Sequence, residues 1–363
     1  MLPFYAETFC ATPVAIGLLF AIFSLSQLIA APILGDLSDR YGRRPILILS
    51  LAGTVLSFVM MALAQSLAML FVARIVDGLS GGNISTARAY VADVTEPKDR
   101  AHAYGLIGAA FGLGFILGPA ISGVLATVSY TAPIWAAAGL TAVAMMMAWI
   151  GLPETVQRTH AGTGMPFRDL GALMKRPDLR RVLLMDFVYW FAFAIFQTTF
   201  ALFVARRFGF DAPQTGYFFA AFGLLGAVVQ GALIRPIVNR FGDKSTFMLG
   251  LVCAAIGLLA ATLAHSVALF ALALVPIALG IGFGHPTMSS LVSRAARDHE
   301  QGRVQGAASA VESLGRTIGP LWGSASLQRF GEAMPYISAA VCLLMTLILS
   351  LGHHVTDSKS AIG

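Results

Sequence analysis

Apolar residues fall into long runs along this chain, and most charged residues lie in short stretches between the runs. A helix needs about 20 mostly apolar residues to cross the hydrocarbon core of a bilayer. Stretches of about that length recur eleven times. They occupy residues 13–34, 46–65, 67–90, 102–126, 132–152, 182–205, 214–236, 246–265, 267–290, 304–325 and 334–352. The pattern predicts an all-α integral membrane protein with about eleven spans.

Composition supports this prediction and excludes other classes of protein. Of the 363 residues, 57% are hydrophobic and 12% are charged, and the mean hydropathy is +0.77. Soluble domains carry about 25% charged residues, and no soluble core would hide this much apolar surface. Three cysteines in so long a chain make no disulfide framework. The sequence contains no phosphate-binding loop and no metal-ligand spacing, so we expect no cofactor and no enzymatic activity.

The basic residues are distributed unequally between the two sides of the predicted bundle. Alternate connections, together with Arg235, hold 18 of the 24 Lys and Arg residues, whereas the opposite connections hold three. Because basic loops stay on the cytoplasmic side, the net charge of +6 indicates inner loops rather than nucleic-acid binding. We expect a multi-pass protein of the bacterial inner (plasma) membrane, with its C-terminus in the cytoplasm and Met1 outside.

The longest connection divides the chain into two halves. We predict a first helical bundle at 1–152, a cytoplasmic linker at 153–181, a second bundle of six helices at 182–352 and a cytoplasmic tail at 353–363. The two halves share a repeat, since the segment 35–44 is echoed 200 residues later. Both copies have the same order and the same side of the membrane, which is a parallel repeat of the kind found in transporters.

The repeat also predicts a missing piece. Six apolar stretches follow the linker, but only five precede it. The stretch 182–205, shifted back by 200 residues, would lie upstream of Met1, and the segment 1–6 corresponds to its outer end. We therefore expect the first bundle to lack its first helix. An upstream in-frame reading of the gene without an apolar stretch would contradict this expectation.

Two motifs in the first half resemble those of one known family, the major facilitator superfamily. The segment 35–44 (GDLSDRYGRR) matches the family's G-x-L-S/A-D-R-x-G-R-R/K pattern, which follows the second helix. Arg74 and Gly78 match its R-x-x-x-G pattern in the fourth helix. The resemblance covers nearly the whole chain and implies the major facilitator fold of two parallel helical bundles.

A third motif narrows the resemblance to antiporter members. The proline–glycine pattern G-x-x-x-G-P-x-x-G-G is matched at Gly114, Gly118, Pro119 and Gly123, with Ser122 in place of one glycine. Together with the segment 152–155, it is most similar to drug:proton antiporters, including tetracycline-efflux-like proteins. The resemblance implies export of a small, amphiphilic, tetracycline-like compound in exchange for protons by alternating access. The expected partners are the lipid bilayer, the small-molecule substrate and protons, without nucleic acid, and we expect a monomer.

The first motif implies a gate on the inner side. Its members are Gly35, Asp39, Arg40, Gly42, Arg43 and Arg44, with Asp93 as an added partner. In that interpretation Asp39 meets a helix N-terminus of the second half, and Asp93 pairs with Arg43. The alternative is that these basic residues only fix the topology.

Two oppositely charged pairs lie inside apolar stretches, near the predicted middle of the membrane. They are Arg74 with Asp77, three residues apart, and Glu312 with Arg316, four residues apart. A charge at that depth costs at least ~2.5–3.5 kcal/mol on insertion scales, so each needs a partner or a wet cavity. Residues at these spacings share a helix face and can pair. The pairs are predicted to be either proton-coupling sites or static ion pairs, and the pattern does not choose between the two acids.

Polar and aromatic side chains within the apolar stretches are candidates for a substrate cavity: Asn83, Tyr189, Trp190, Gln197, Gln230 and His285. A mostly apolar pocket with few polar groups suits amphiphilic compounds better than sugars. Asp186 lies near the start of its stretch, so we expect it to cap the N-terminal region of that helix.

Three alternatives stay open. An importer of a sugar or an organic acid would need a more polar cavity than this sequence offers. An intramembrane enzyme would need a catalytic pair, which the pattern does not provide. An inactive truncated transporter would result if the first helix is absent and is needed for coupling.

Overall fold

The computed structural model describes residues 1–96, 99–155, 171, 173–296 and 300–352, which form helices and turns without a strand. The α-helices, in chain order, are α1 (Leu2–Glu7), α2 (Pro13–Tyr41), α3 (Arg43–Ala62), α4 (Leu67–Ser80), α5 (Ile84–Val94), α6 (Arg100–Ala126), α7 (Ala132–Gly151), α8 (Pro177–Phe208), α9 (Ala212–Val228), α10 (Ile234–Leu263), α11 (Val267–Ala295), α12 (Gln301–Phe330) and α13 (Met334–Leu351). A 3₁₀ turn at Gly81–Asn83 joins α4 to α5, and a π-helical turn at Val229–Leu233 joins α9 to α10. We call the end of the bundle away from the basic connections the outer end.

Within the described residues, nine helical segments are long and apolar enough to cross a membrane. One of them, Ala212–Leu263, has 52 residues, a length of about 78 Å that exceeds twice the thickness of the hydrocarbon core. Gly242 inside it has a φ of +78°, which breaks the helix in two. The two parts correspond to the predicted stretches 214–236 and 246–265. The stretch 304–325 lies in α12, which is long but more polar than the nine segments.

The structure corrects the predicted ends of several stretches. α2 continues through Tyr41, so most of the segment 35–44 is helical rather than a loop, and Gly42 alone separates it from α3. α8 begins at Pro177, five residues before the predicted start. Apolar runs locate the part of a helix that can sit in lipid, whereas the ends depend on capping and neighbouring helices. The predicted tail and residues 156–170 of the predicted linker lie outside the described residues.

The helices pack as two bundles that meet along two seams. In the second half α8 lies along α12, and α10 packs on α11 and α13. In the first half α2 packs on α4, and α3 packs on α4 and α7. α2 contacts α12 and α6 contacts α9 across the boundary between the halves. Both seams therefore use one helix from each bundle, as expected for a parallel repeat.

Glycines set the close packing of α8 on α12. A Cβ added at Gly315 would lie 2.9 Å from the Phe191 nitrogen, and one added at Gly319 would lie 2.8 Å from the Phe191 carbonyl oxygen. Gly114 and Gly118 are the equivalent glycines on α6, 201 residues earlier. A Cβ added at either of them would have no atom within 4 Å. Among the described residues, the equivalent face of α6 therefore has no closely packed helix.

The short helix α1 packs at the outer end of the molecule. The Tyr5 hydroxyl donates to the Ala64 carbonyl at 3.2 Å, and Ala6 is completely buried. The offset of 200 residues relates α1 to the last turns of α8, near Leu202. α1 thus occupies the place of a helix end in the repeat, and the absence of the preceding helix stays a prediction.

Candidate functional site

The predicted gate motif forms a charged network at the inner ends of α2, α3 and α5. Arg43 contacts Asp39 one turn earlier, and its Nε donates to Asp93 Oδ2 at 3.2 Å. Thr155 Oγ1 donates to the same Asp93 oxygen at 3.3 Å. The structure thus brings Arg43 and Asp93 together, as the family resemblance implies. The described contact of Asp39 lies within the first half, and its contact with the second half stays a prediction.

Glu154 fixes the turn between α2 and α3, a role that the sequence did not predict. Its carboxylate oxygens accept the backbone N–H groups of Arg43 at 3.0 Å and Arg44 at 3.3 Å. These groups belong to the first turn of α3, where N–H groups lack helical partners and a negative charge is favourable. Gly42 has a φ of +110°, and the Glu154 carboxylate fills the space that a Cβ would occupy. Both the backbone and the packing require glycine here.

Two other motif residues have simpler surroundings. Arg40 pairs with Asp36 at 2.9 Å, and the Arg40 side chain is largely exposed. Gly35 has nothing within 4 Å of its Cβ position. The Gly35 carbonyl accepts from the Ser38 hydroxyl at 2.7 Å, and that hydroxyl accepts from Arg43 Nη1 at 2.8 Å, so Gly35 reaches the network through its backbone.

Arg74 and Asp77 form a close ion pair in α4. Arg74 Nη1 donates to Asp77 Oδ2 at 2.8 Å, and Arg74 Nε donates to the Leu19 carbonyl at 3.3 Å. The guanidinium carbon lies 4.0 Å from the centre of the Phe23 ring. Gly78, one turn later, lets the backbone of α2 come close enough for this stacking. The pair lies about 10–15 Å from the outer end of α4, a depth close to half the thickness of the hydrocarbon core.

Glu312 and Arg316 are held much more loosely in α12. Their charged atoms are 4.0 Å apart, and the side chains are 29% and 38% exposed. The Arg316 guanidinium lies over the Trp190 ring of α8, 5.0 Å from its centre. Trp190 stands edge-on to the His285 ring of α11, with the ring centres 5.3 Å apart. The structure thus joins four predicted residues from three helices, which we call the Trp190 cluster.

Asp186 belongs beside this cluster, and its predicted capping role is wrong. It is 1% exposed and lies in the third turn of α8, where backbone N–H groups already have helical partners. Its carboxylate is an electrostatic neighbour of Glu312 and Arg316. Its Oδ2 atom has no hydrogen-bond partner. The spacing of four residues between Asp186 and Trp190 was the available signal, since it places both on one helix face.

Tyr189 and Gln197 occupy the same helix but different surroundings. Tyr189 is buried, packs against the Phe247 ring and fills the space beside Gly284, so it does not face an open cavity. Gln197 is half-buried and lies two turns beyond Trp190. On this helix, Tyr189 is therefore a packing residue, whereas Gln197 stays a candidate for the cavity.

The other two polar candidates occupy irregular turns. Asn83 ends the 3₁₀ turn, and the exposed Gln230 lies in the π-helical turn. π-helical turns are frequent at functional sites. Among the described residues, no hydrogen bond, ion pair or ring contact joins Asn83 or Gln230 to the Trp190 cluster. Within the same residues, no group of three metal-ligating side chains lies together.

Pro119 and Gly123 of the antiporter motif face the second half. A Cβ added at Gly123 would lie 3.1 Å from the Pro213 carbonyl oxygen, and one added at Gly216 would lie 2.9 Å from the Pro119 carbonyl oxygen. The motif thus lets the backbones of α6 and α9 touch at the outer end. Its other glycines, as noted above, face open space.

The second seam also closes at the outer end. Gly17 of α2 packs against Ser324 of α12, and the Val14 N–H donates to Gln328 Oε1 at 3.3 Å. At the inner end of α2, Gly35 has open space around it. The close contacts described here between the halves therefore lie at their outer ends.

Known proteins are similar to this chain in sequence and architecture. The Major Facilitator Superfamily profile matches residues 1–320 and 231–361. The tetracycline resistance protein of class C from Escherichia coli is 33% identical over 84% of this chain and 78% of its own length. The class G protein from Vibrio anguillarum is 34% identical over the same shares. The crystal structure of the human organic anion transporter MFSD10 (TETRAN) is 28% identical with a TM-score of 0.71, covering 92% of this chain and 83% of that one.

Proposed function

The chain belongs to the major facilitator superfamily, and from that premise we propose that it exports a small amphiphilic, tetracycline-like compound in exchange for protons. It is a multi-pass membrane transporter and not an enzyme. The observation that supports the proposal is the loosely paired, partly exposed Glu312 beside Arg316 and Trp190, in a molecule whose halves touch at their outer ends.

Glu312 is the better proton carrier of the two acids that the sequence pointed to. Asp77 is already held by Arg74 at 2.8 Å and is 9% exposed, whereas Glu312 is 4.0 Å from Arg316 and is 29% exposed. An ionised Glu312 attracts Arg316, and a protonated one releases it to the face of Trp190. The charge of Glu312 therefore selects between two positions of the Arg316 side chain.

This choice can be transmitted to the contact between the halves. α12 carries both Glu312 and Arg316, and the same helix forms the seam with α2 through Ser324 and Gln328. A small rotation of α12 would alter that seam, because the backbones there are too close to slide freely. Inward movement of a proton supplies ~2.3 kcal/mol per 100 mV, which is available to drive this change.

The network around Arg43 would act as the inner gate. It ties α2, α3 and α5 together and, through Thr155, the segment that follows α7. These helices would then move as one body when the inner side closes. In this proposal the basic side faces the cytoplasm, the C-terminus lies inside a bacterial inner membrane, and a single chain suffices for transport.

The substrate class follows from the chemistry of the Trp190 cluster. Aromatic rings with few polar groups suit an amphiphilic compound, and two of the compared relatives are tetracycline resistance proteins. A second candidate is transport of an organic anion. Arg316 would attract one, and the human relative is described as an organic anion transporter.

Everted membrane vesicles that carry the chain test both candidates. An acid-inside pH gradient is imposed, and its dissipation is followed as tetracyclines, cationic dyes and organic anions are added in turn. We expect tetracycline or dyes to release protons, and Glu312→Gln to abolish the release. The matched control is Asp178→Asn at the exposed start of α8, which should behave as the wild type. A response to organic anions alone would favour the second candidate, and no response at all would contradict proton-coupled export.

A further inference from the structure

Asp186 is a buried carboxylate that the mechanism above does not use. Its side chain is 1% exposed, and one of its two oxygens has no hydrogen-bond partner. A buried polar atom without a partner costs about 1–3 kcal/mol, and an unpaired charge costs more. Such a group is retained in a core only if protonation or another hydrogen-bond partner offsets this cost.

One other acidic residue, Glu312, and one basic residue, Arg316, lie next to Asp186. Glu312 and Arg316, both on α12, are its electrostatic neighbours. Gly315 between them packs on the Phe187 carbonyl, directly after Asp186, and the Trp190 ring, one turn after Asp186, lies under the Arg316 guanidinium. Tyr189 lies next to Asp186 on α8 and is influenced by both acids. His285 on α11 and Arg88 on α5 complete the ionisable groups around the cluster.

The other charges on helices that contact α8 have partners elsewhere. Glu7 of α1 is influenced by Arg206 at the outer end. In α2, Arg40 pairs with Asp36 and Asp39 pairs with Arg43, and Arg294 of α11 pairs with Asp243.

The sequences of α9 and α13 contain no Asp, Glu, Lys or Arg. Asp186 and Glu312 therefore share Arg316 as their adjacent cation, while Arg88 acts on Glu312 from the first half. Two neighbouring carboxylates repel each other, and one proton held between them removes that repulsion.

We propose that Asp186 and Glu312 form a carboxyl pair that holds one exchangeable proton, with Asp186 as the buried member and Glu312 as the member open to water. Trp190 keeps the pair together, because its indole N–H can donate to either carboxylate. In the arrangement seen here, the proton leaves from Glu312 to water, and Arg316 then pairs with the ionised carboxylate. The use of this proton in exchange rests on the proposed function, whereas its presence does not.

Infrared difference spectra of the purified protein between acidic and alkaline buffer test the pair without any substrate. We expect the carbonyl band of a protonated carboxyl group in the wild type. The band should be lost in Asp186→Asn and equally in Glu312→Gln, because one remaining carboxylate is balanced by Arg316 without a proton. The double variant should lose nothing more than either single variant. Asp178→Asn is the matched control on the same helix and should keep the band.

The proposal of a shared proton would be overturned if the band survives in Asp186→Asn. It would also be overturned if the double variant loses as much band intensity as the two single variants together. If Asp186→Asn does not fold, Asp186→Glu keeps the carboxyl group and must keep the band, and its absence there also overturns the proposal.

Transport measurements separate this proposal from the proposed function. In proteoliposomes, Asp186→Asn should still exchange labelled for unlabelled tetracycline but should lose accumulation driven by a pH gradient. A wild type that shows the band and moves no compound would contradict export while supporting the pair. If the wild type transports the compound and the Asp186→Asn variant keeps the band, the carboxyl pair is overturned and the proposed function is not.

Discussion

The carboxylate of Asp243 lies 2.6 Å from the guanidinium of Arg294, at positions that carry the opposite charges in the first half. Offsets of 200 and 201 residues lead back to Arg43 and Asp93, whose charged atoms are 3.2 Å apart. The same ion pair thus joins the inner ends of neighbouring helices in both bundles, with its charges exchanged. The two halves thus carry opposite charges at these two positions, and they differ in which position is positive.

Exchanging the charges in the second half should restore what either single reversal removes. Asp243→Arg or Arg294→Asp places like charges together. We expect each to lower the free energy of unfolding by about 1 kcal/mol, since Arg294 is more than half exposed and solvent screens the pair. The double variant should recover most of that loss, as measured by thermal unfolding in detergent.

The first half provides the control for this exchange. Arg43 also contacts Asp39 and donates to Ser38 Oγ at 2.8 Å, so Arg43→Asp with Asp93→Arg breaks further contacts. Its recovery should be smaller than that of the second-half exchange. Equal recovery in both halves would show that these additional contacts contribute no stability.

Alanine at repeat-related glycines should have unequal effects. Gly315→Ala would force α8 away from α12, because the new Cβ would lie 2.9 Å from a backbone nitrogen. We expect a loss of about 1–3 kcal/mol, the usual cost of overpacking. Gly114→Ala adds a methyl group to open space and should be neutral or slightly stabilising in thermal unfolding. A loss as large as that of Gly315→Ala would mean that the face of α6 is covered in the membrane.

Removing the two candidate acids should separate stability from coupling. Asp77→Asn leaves Arg74 buried without its partner at 2.8 Å, so we expect a loss of about 3 kcal/mol in stability. The folded fraction should still couple transport to protons. Glu312→Gln should have the reverse effect, with stability retained and proton-driven accumulation abolished. Loss of coupling in folded Asp77→Asn would move the proton site to the first half.

A covalent link across the outer end should stop transport. Val14 and Gln328 are joined by a hydrogen bond of 3.3 Å between the halves. Cysteines at these two positions, in a background without the three native cysteines, should form a cross-link that abolishes substrate exchange. The matched control is a cross-link at Arg207 and Glu332, an ion pair of 2.8 Å within the second half. It should leave exchange intact, and inactivation by both cross-links would argue against movement between the halves.

Much of the helical architecture could be predicted because membrane spans are continuous apolar runs. Each of the eleven predicted stretches overlaps a helical segment, and the 200-residue repeat correctly indicated two bundles. The pairs at Arg74 and Arg316 were visible because helical spacing of three or four residues is local. The pairing of Arg43 with Asp93, fifty residues apart, came only from resemblance to the family.

The errors concern contacts between distant parts of the chain. Glu154 caps α3 although more than a hundred residues separate it from Arg43 in the sequence, and no local pattern predicts such a partner. Asp186 was interpreted as a cap because its helix was predicted to begin five residues too late. Its true surroundings depend on the close approach of α12, which Gly315 permits.

The sequence by itself therefore determined the class of protein, the helices, the repeat and the residues with unusual chemistry. These features depend on composition and local periodicity, which can be read from one amino-acid sequence. Only the tertiary structure decided which charges are satisfied, because two ion pairs of the same spacing differ in their neighbours. Arg74 has a carboxylate, a carbonyl and an aromatic ring around it, while Arg316 has two acids and one ring to share. That difference arises from helix packing, and it locates the proposed site in the second half.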